Sequence, residues 1–302
     1  MEQEAATRLW NRSTQLGLRY MTFLSDGDSA AYNAVTKLND GAGPYDVPVN
    51  KEECINHVSK RLGSQLRSLK AKSKEVVTTK AGKQVMRSSY AGKGKLTDER
   101  INSLSKHFGN NIRKYAATSD EATLRKHVMA SYYHSSSTDD NPKHQSCLIG
   151  ADSWCWVRKA EAQNVTPASH SSKDMWLGNL SQPLLAEILK IYIDLTSPEL
   201  MRRCMKQRTQ NSNESLHSKI WLQCSKEKFA SMNRVRMIAQ GTALNHNFGH
   251  VEGNLPRALG AGTPQLLKVL RTAKKAVNNF RPKQKAKRSS ADPDASYGAG
   301  NF

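Results

Sequence analysis

Apolar positions along this chain recur mostly three and four residues apart, which predicts helices. Met1 to Leu18 places Ala5, Leu9, Trp10 and Leu16 near one face and Glu2, Glu4, Arg8 and Arg12 elsewhere. The pattern then changes. Tyr20 to Leu24 are aromatic, β-branched or apolar over a strand's length, Ser25-Asp-Gly-Asp28 turns, and Ala30, Ala31, Ala34, Val35 and Leu38 return to helical spacing. A short buried strand, a turn and a helix are expected there.

Further on, Val47 to Val49 has the length of a brief strand, and a helix is expected from near Lys51 with Cys54, Val58, Leu62, Leu66 and Leu69 on its buried stripe. Lys70 to Lys95 is rich in Lys, Ser, Gly and Thr, which predicts a flexible basic segment. Helices follow from Leu96, capped by Thr97, and from about Asp120. Leu184 to Leu195 is the most apolar helix. Ser197-Pro-Glu restarts another, Leu216, Ile220 and Trp221 form the core face of a third, and Arg234 to Leu244 makes a fourth that ends at Gly249. Leu266 to Val277 predicts a short amphipathic helix. Beyond Phe280, Lys, Arg, Ser, Pro, Gly and Ala dominate and predict a disordered tail. The fold class expected is α/β, mostly helical.

Charge narrows the function. Lys and Arg number 46 against 26 Asp and Glu, a net charge of +20 that is spread along the chain and points to a polyanion, with nucleic acid first. No apolar run approaches the roughly 18 residues of a spanning helix. Five cysteines at irregular spacing do not make a disulfide framework, so a soluble protein in a reducing, intracellular compartment is expected, with no membrane partner. Arg281-Pro-Lys-Gln-Lys-Ala-Lys-Arg288 carries five basic residues in eight and predicts a nuclear-import signal.

Two stretches carry candidate chemistry. His144-Gln-Ser-Cys147 has the two-residue gap that lets one turn offer an imidazole and a thiolate to zinc, and His134 and Cys155 would complete four ligands. Cys155, between Trp154 and Trp156, equally fits a packed core. Asp26 and Asp28 either hold a metal at the strand end or shape the turn and cap the next helix.

Ser25-Asp-Gly-Asp-Ser29 at a strand end, Cys54-Ile-Asn-His57, and Asn213-Glu-Ser-Leu-His217 opening a helix occur in that order. As a set they resemble the Mutator-like transposases of animal genomes, a branch of the DDE group, over roughly Met1 to Gly249. The resemblance implies a partial RNase H-like core interrupted by a large helical insertion, and it implies DNA as partner, with homo-oligomers as a further option. It makes Asp26 and Glu214 the second and third catalytic carboxylates, ligands of Mg2+ or Mn2+, with Asp28, Cys54, His57 and His217 near the site. Such cores use two metal ions about 3.5–4 Å apart, one activating the attacking oxygen and one stabilising the leaving oxygen. Lys60, Arg61, Arg202, Arg203, Lys206 and Arg208 are then expected to contact phosphate.

Only Glu2 and Glu4 precede Asp26, on a helix, so the strand bearing the first catalytic Asp is missing from this chain. A poor catalyst on its own is expected. The implied division is 1–69 and 197–250 for the core, 70–196 for the linker, insertion and zinc knuckle, and 251–302 for the tail. The competing expectation is a non-enzymatic basic DNA-binding or assembly protein derived from a transposase.

Overall fold

A computed structural model describes residues 2–27, 29–78, 82–92, 94–173 and 175–248. Asp28, the Gly249 helix stop, the 266–277 helix and the basic tail lie outside the described residues. The chain divides after Gln210 into two units.

The first unit opens with helix α1 (Glu2–Gln15), whose buried Ala6, Trp10 and Ser13 lie on one face. Strand β1 (Thr22–Ser25) follows, then α2 (Ala30–Thr36) and strand β2 (Asn50–Glu53). β2 pairs with β1 in parallel, Thr22 opposite Asn50 and Ser25 opposite Glu53. Trp10 ties α1 to this pair, stacking on Phe23 with ring centroids 5.1 Å apart and donating its indole N–H to the Tyr20 carbonyl at 3.0 Å. A small core of Ala6, Trp10, Ala31, Val35 and Val49 results. β1 is half-buried rather than buried, and Tyr20 and Met21 remain exposed.

Helix α3 (Ile55–Lys72) begins four residues later than its apolar stripe predicts, because Lys51, Glu52 and Glu53 are buried in β2 instead. Three consecutive charged residues give no period-2 signal for a strand. The Lys70–Lys95 stretch also differs from expectation. It contains an antiparallel hairpin, β3 (Lys74–Thr78) and β4 (Gln84–Ser88), with Lys74 opposite Ser88. Ser88 Oγ holds its base to α3 by donating to the Lys70 carbonyl at 2.5 Å. The hairpin buries no apolar face, Val76 and Met86 both being exposed, so no hydrophobic pattern announced it.

Helix α4 (Asp98–Tyr115) starts where its cap predicts, with Thr97 Oγ1 accepting from the Arg100 amide, and α5 (Glu121–Ser135) starts at the expected place, where Asp120 proves to be the cap and accepts from the Thr123 amide. With α6 (Trp156–Ala162), α7 (Gln182–Leu195) and α8 (Pro198–Cys204) they complete the unit. Ser197 precedes α8 without a side-chain capping bond. One core runs through α3, α4, α5, α7 and α8, with Leu62, Leu66, Ile101, Leu104, Phe108, Leu124, Ile188, Tyr192 and Met201 fully buried. Each such side chain contributes about 1.5–3 kcal/mol over its exposed state. α3 and α4 approach closely at small residues, where Ser59 and Ser105 exchange hydroxyl-to-carbonyl bonds of 2.8 and 2.7 Å.

The second unit holds α9 (Asn211–Gln223) and α10 (Met232–Phe248), packed on each other. The core face expected at Leu216, Ile220 and Trp221 is not formed, since α9 has no buried residue. Among the described residues these two helices pack on each other, and one neighbouring helix is too little to enclose an apolar stripe.

Candidate functional site

Four ligand-type side chains meet in the first unit. His134 lies in the last turn of α5, His144 and Cys147 bracket a turn closed by the Cys147 amide on the His144 carbonyl at 3.0 Å, and Cys155 caps α6. All four are buried, and their ligand atoms lie within 4.8 Å of one another. His134 Nδ1 is 3.1 Å from His144 Nδ1, while Cys147 Sγ is 3.7 and 3.8 Å from those two nitrogens and Cys155 Sγ is 3.5 Å from His144 Nδ1. Around tetrahedral zinc, bond lengths of about 2.0–2.1 Å to nitrogen and 2.3 Å to sulfur put nitrogens about 3.3 Å apart and nitrogen about 3.6 Å from sulfur. The observed edges match. A His2Cys2 set has the geometry to hold a metal such as zinc.

The thiols influence each other. Their mutual hydrogen bond pulls Cys155 far below the ordinary thiol range, against burial and helped by His134 and His144, and the same bond pushes Cys147 up. A ready thiolate is the form that binds metal.

Support for the cluster comes from residues that sequence spacing did not single out. His144 Nε2 is 2.9 Å from His170 Nε2, and His170 Nδ1 is 2.5 Å from Asp139 Oδ1. With Nδ1 of His144 facing the cluster, its proton sits on Nε2 and is donated to His170, whose own proton then sits on Nδ1 and is donated to Asp139. Asp139 also accepts from the His170 amide and the Ser169 hydroxyl, and these bonds hold its carboxyl well below the usual range. Arg158 adds two bonds to the His144 carbonyl. His170 lies 26 residues from His144 in a short turn, so no spacing rule could have found it.

The Asp26 strand end has a different character. Asp26 is exposed where β1 stops, and Arg61 of α3 donates to its main-chain oxygen. Gly27, at φ +103°, leaves room for that guanidinium; a Cβ there would fall 2.2 Å from it. Alongside, the buried Glu53 accepts from Arg61 at 2.5 Å and faces Arg203 at 3.9 Å. Glu52, also buried, has its oxygens 2.6 Å from Lys206 Nζ and 3.4 Å from Arg208 Nε, charge pairing without well-aligned hydrogen bonds.

Expected phosphate contacts are therefore partly engaged within the fold. Arg61, Arg203, Lys206 and Arg208 neutralise Glu52 and Glu53, and Arg202 pairs with Glu121 at 2.9 Å. Arg202, Lys206 and Arg208 nevertheless stay more than half exposed. Lys60 is partly buried on α3, where Cys54 occupies the N-cap position fully buried and without a side-chain capping bond, and His57 is half-buried. Gln210, the last residue of this unit, donates its amide to Cys54 Sγ at 3.4 Å and its side chain to the Leu24 carbonyl at 3.2 Å. Glu214, half-buried, and His217, exposed, belong to α9 of the second unit.

The described residues thus define a mostly helical protein with two small sheets and a buried His2Cys2 cluster fit for a metal ion, in a chain of net charge +20. A family model of Mutator-like transposases matches residues 1–155 of the 302, and the chain belongs to that family. The matched segment contains Asp26, Cys54, His57 and all four cluster residues. No curated protein and no solved structure matches the chain. No described helix is long and apolar enough to cross a membrane.

Proposed function

We propose that this protein binds DNA in the nucleus as a transposase-family protein, and that its His2Cys2 cluster holds a structural zinc. The observation that carries the reading is the family match over 1–155 in a chain with 20 more positive than negative charges. Affinity would rest on phosphate contacts, with Arg202, Lys206 and Arg208 as exposed contributors. Four protein ligands close the cluster, which suits a structural zinc and leaves no position for substrate.

By family logic, β1, β2 and the helices around them are part of an RNase H-like core, 70–196 contains its insertion, and 197–250 supplies the Glu214 helix. Asp26 and Glu214 are the second and third carboxylates in this assignment. The chemistry of the β1 end favours Asp26 for a hard cation: its carboxylate is exposed, whereas Glu52 and Glu53 are buried against arginine and lysine. Mg2+ or Mn2+ bound there would supply the charge that activates water or a 3′-hydroxyl for DNA strand cleavage and transfer. In this assignment Asp26 and Glu214 are its ligands.

The test has two parts. Titration of labelled DNA across a salt series reads binding, and Mn2+-dependent nicking of supercoiled DNA reads cleavage. Loss of nicking in both Asp26→Asn and Glu214→Gln with binding retained is expected from the carboxylate assignment. Binding without nicking in the parent chain leaves DNA binding standing and withdraws support from the carboxylate assignment, and no binding at low salt overturns the whole reading.

A further inference from the structure

A cavity of about 320 Å³ opens beside the metal cluster. One wall is a single stripe of α4, Ser103, Lys106, His107 and Asn110, spaced as i, i+3, i+4 and i+7. The others bring three tryptophans, Trp154, Trp156 and Trp176. His134 and His170 form the edge shared with the cluster, so the metal-binding segment also shapes this pocket. Its volume is at the small end of ligand sites, the size for one planar ring system.

Three features indicate what it would take. Indoles and imidazoles dominate the walls, and the tryptophans are only partly buried, so their rings are available to a flat ligand. His107 Nε2 and Ser135 Oγ lie just behind the wall surface with no hydrogen-bond partner among the described residues, so a small shift of the wall on binding would let a polar ring edge satisfy them. A neutral imidazole at His107 offers one donor and one acceptor to such an edge. The charges in the described lining are cationic: Lys106 is exposed, and Lys173 holds Nζ 4.9 Å over the Trp156 ring. An aromatic cage for a methylated ammonium would not carry two lysines, whereas an aromatic ligand with flanking phosphates is favoured by them.

We propose that this pocket receives one unstacked nucleobase of DNA, its face against the indoles, its polar edge toward His107 and Ser135, and its neighbouring phosphates on Lys106 and Lys173. Stacking on aromatic side chains tolerates any base, so the selectivity is for an unpaired base rather than a sequence. The proposal rests on the DNA-binding reading and gives it a specific structural feature of the DNA to recognise.

Two probes, applied to the full chain in zinc-containing buffer, separate the pocket from general DNA affinity. Deoxyadenosine 5′-monophosphate, followed by quenching of tryptophan fluorescence, tests the pocket without a duplex. A duplex with one unpaired 2-aminopurine, compared with the fully paired duplex, tests it in DNA. Expected are saturable quenching by the mononucleotide and a preference of about tenfold for the unpaired duplex, with 2-aminopurine fluorescence quenched. His107→Leu and Lys106→Glu, checked for unchanged zinc content and melting temperature, should bring that preference close to one. Equal binding of both duplexes overturns the proposal and leaves DNA binding standing, even if the free mononucleotide binds. Failure of both duplexes to bind overturns the DNA-binding reading and this ligand with it.

Discussion

His144 is the residue on which most of the metal cluster depends, because its two ring nitrogens do different jobs. Nδ1 faces His134, Cys147 and Cys155, and Nε2 faces His170, which is itself anchored on Asp139. Spacing made the four ligands visible as a set, since His and Cys in a polar loop offer the atoms zinc prefers. The orienting pair His170 and Asp139 was invisible, because its members become neighbours only when the 134–173 segment folds back on itself. Cys147→Ser is expected to abolish metal binding, read as zinc per chain falling from one to none by elemental analysis of purified protein. Asp139→Asn removes no ligand, so it should keep the zinc and weaken it by about 10–100-fold. Competition with a chromophoric chelator measures that loss, and unchanged affinity would reduce Asp139 to a loop residue.

At the scale of elements, β2 is the instructive case. Asn50-Lys-Glu-Glu53 contains no apolar residue, yet it is the strand paired to β1 and is largely buried. Its carboxylates tolerate burial because Arg61, Arg203, Lys206 and Arg208 arrive from α3, α8 and the segment after α8. Glu53→Ala would take the buried partner from Arg61 and Arg203, which are about a quarter exposed and keep the Asp26 carbonyl and Glu199 as partners, so a loss of about 1–3 kcal/mol is expected. Urea denaturation should show that loss. A second element-level prediction concerns the α3–α4 crossing. A Cβ on Gly109 would fall 2.4 Å from Ser59 Oγ and 2.7 Å from its Cβ, an atom that cannot swing away. Gly109→Ala should therefore destabilise by about 1–3 kcal/mol despite its better helix propensity. A raised melting temperature would show that the helices separate freely.

For the whole molecule, the charge excess and the metal set the expectations. Log affinity for DNA should fall linearly with log salt, steeply enough to show several phosphate contacts, and a flat response would remove the electrostatic account. Chelation should lower the melting temperature of the intact chain, since metal held by residues from 134 to 155 links α5, the loop and α6. The import signal proposed for 281–288 lies outside the described residues. Substituting Lys285, Lys287 and Arg288 by Ala in the full chain should shift a fluorescent fusion from nucleus to cytoplasm.

The sequence by itself determined what local rules govern. Thr97 announces a helix start because a cap is a bond within four residues, and the α3, α4, α5 and α7 stripes show because burial repeats with the helical period. It also singled out the four side chains that the structure brings together as a possible metal site, through residue chemistry at a suggestive spacing. Only the tertiary structure decided the rest. Glu52 and Glu53 form a buried strand because Arg61 and, from about 150 residues away, Arg203, Lys206 and Arg208 neutralise them, the β3–β4 hairpin pairs strands with no apolar face, and His170 and Asp139 gain a role from a fold-back. The hairpin is local but buries no apolar face and so leaves no periodic signal, while the buried carboxylates and the His170–Asp139 pair depend on partners brought from elsewhere in the chain, about which periodicity carries no information.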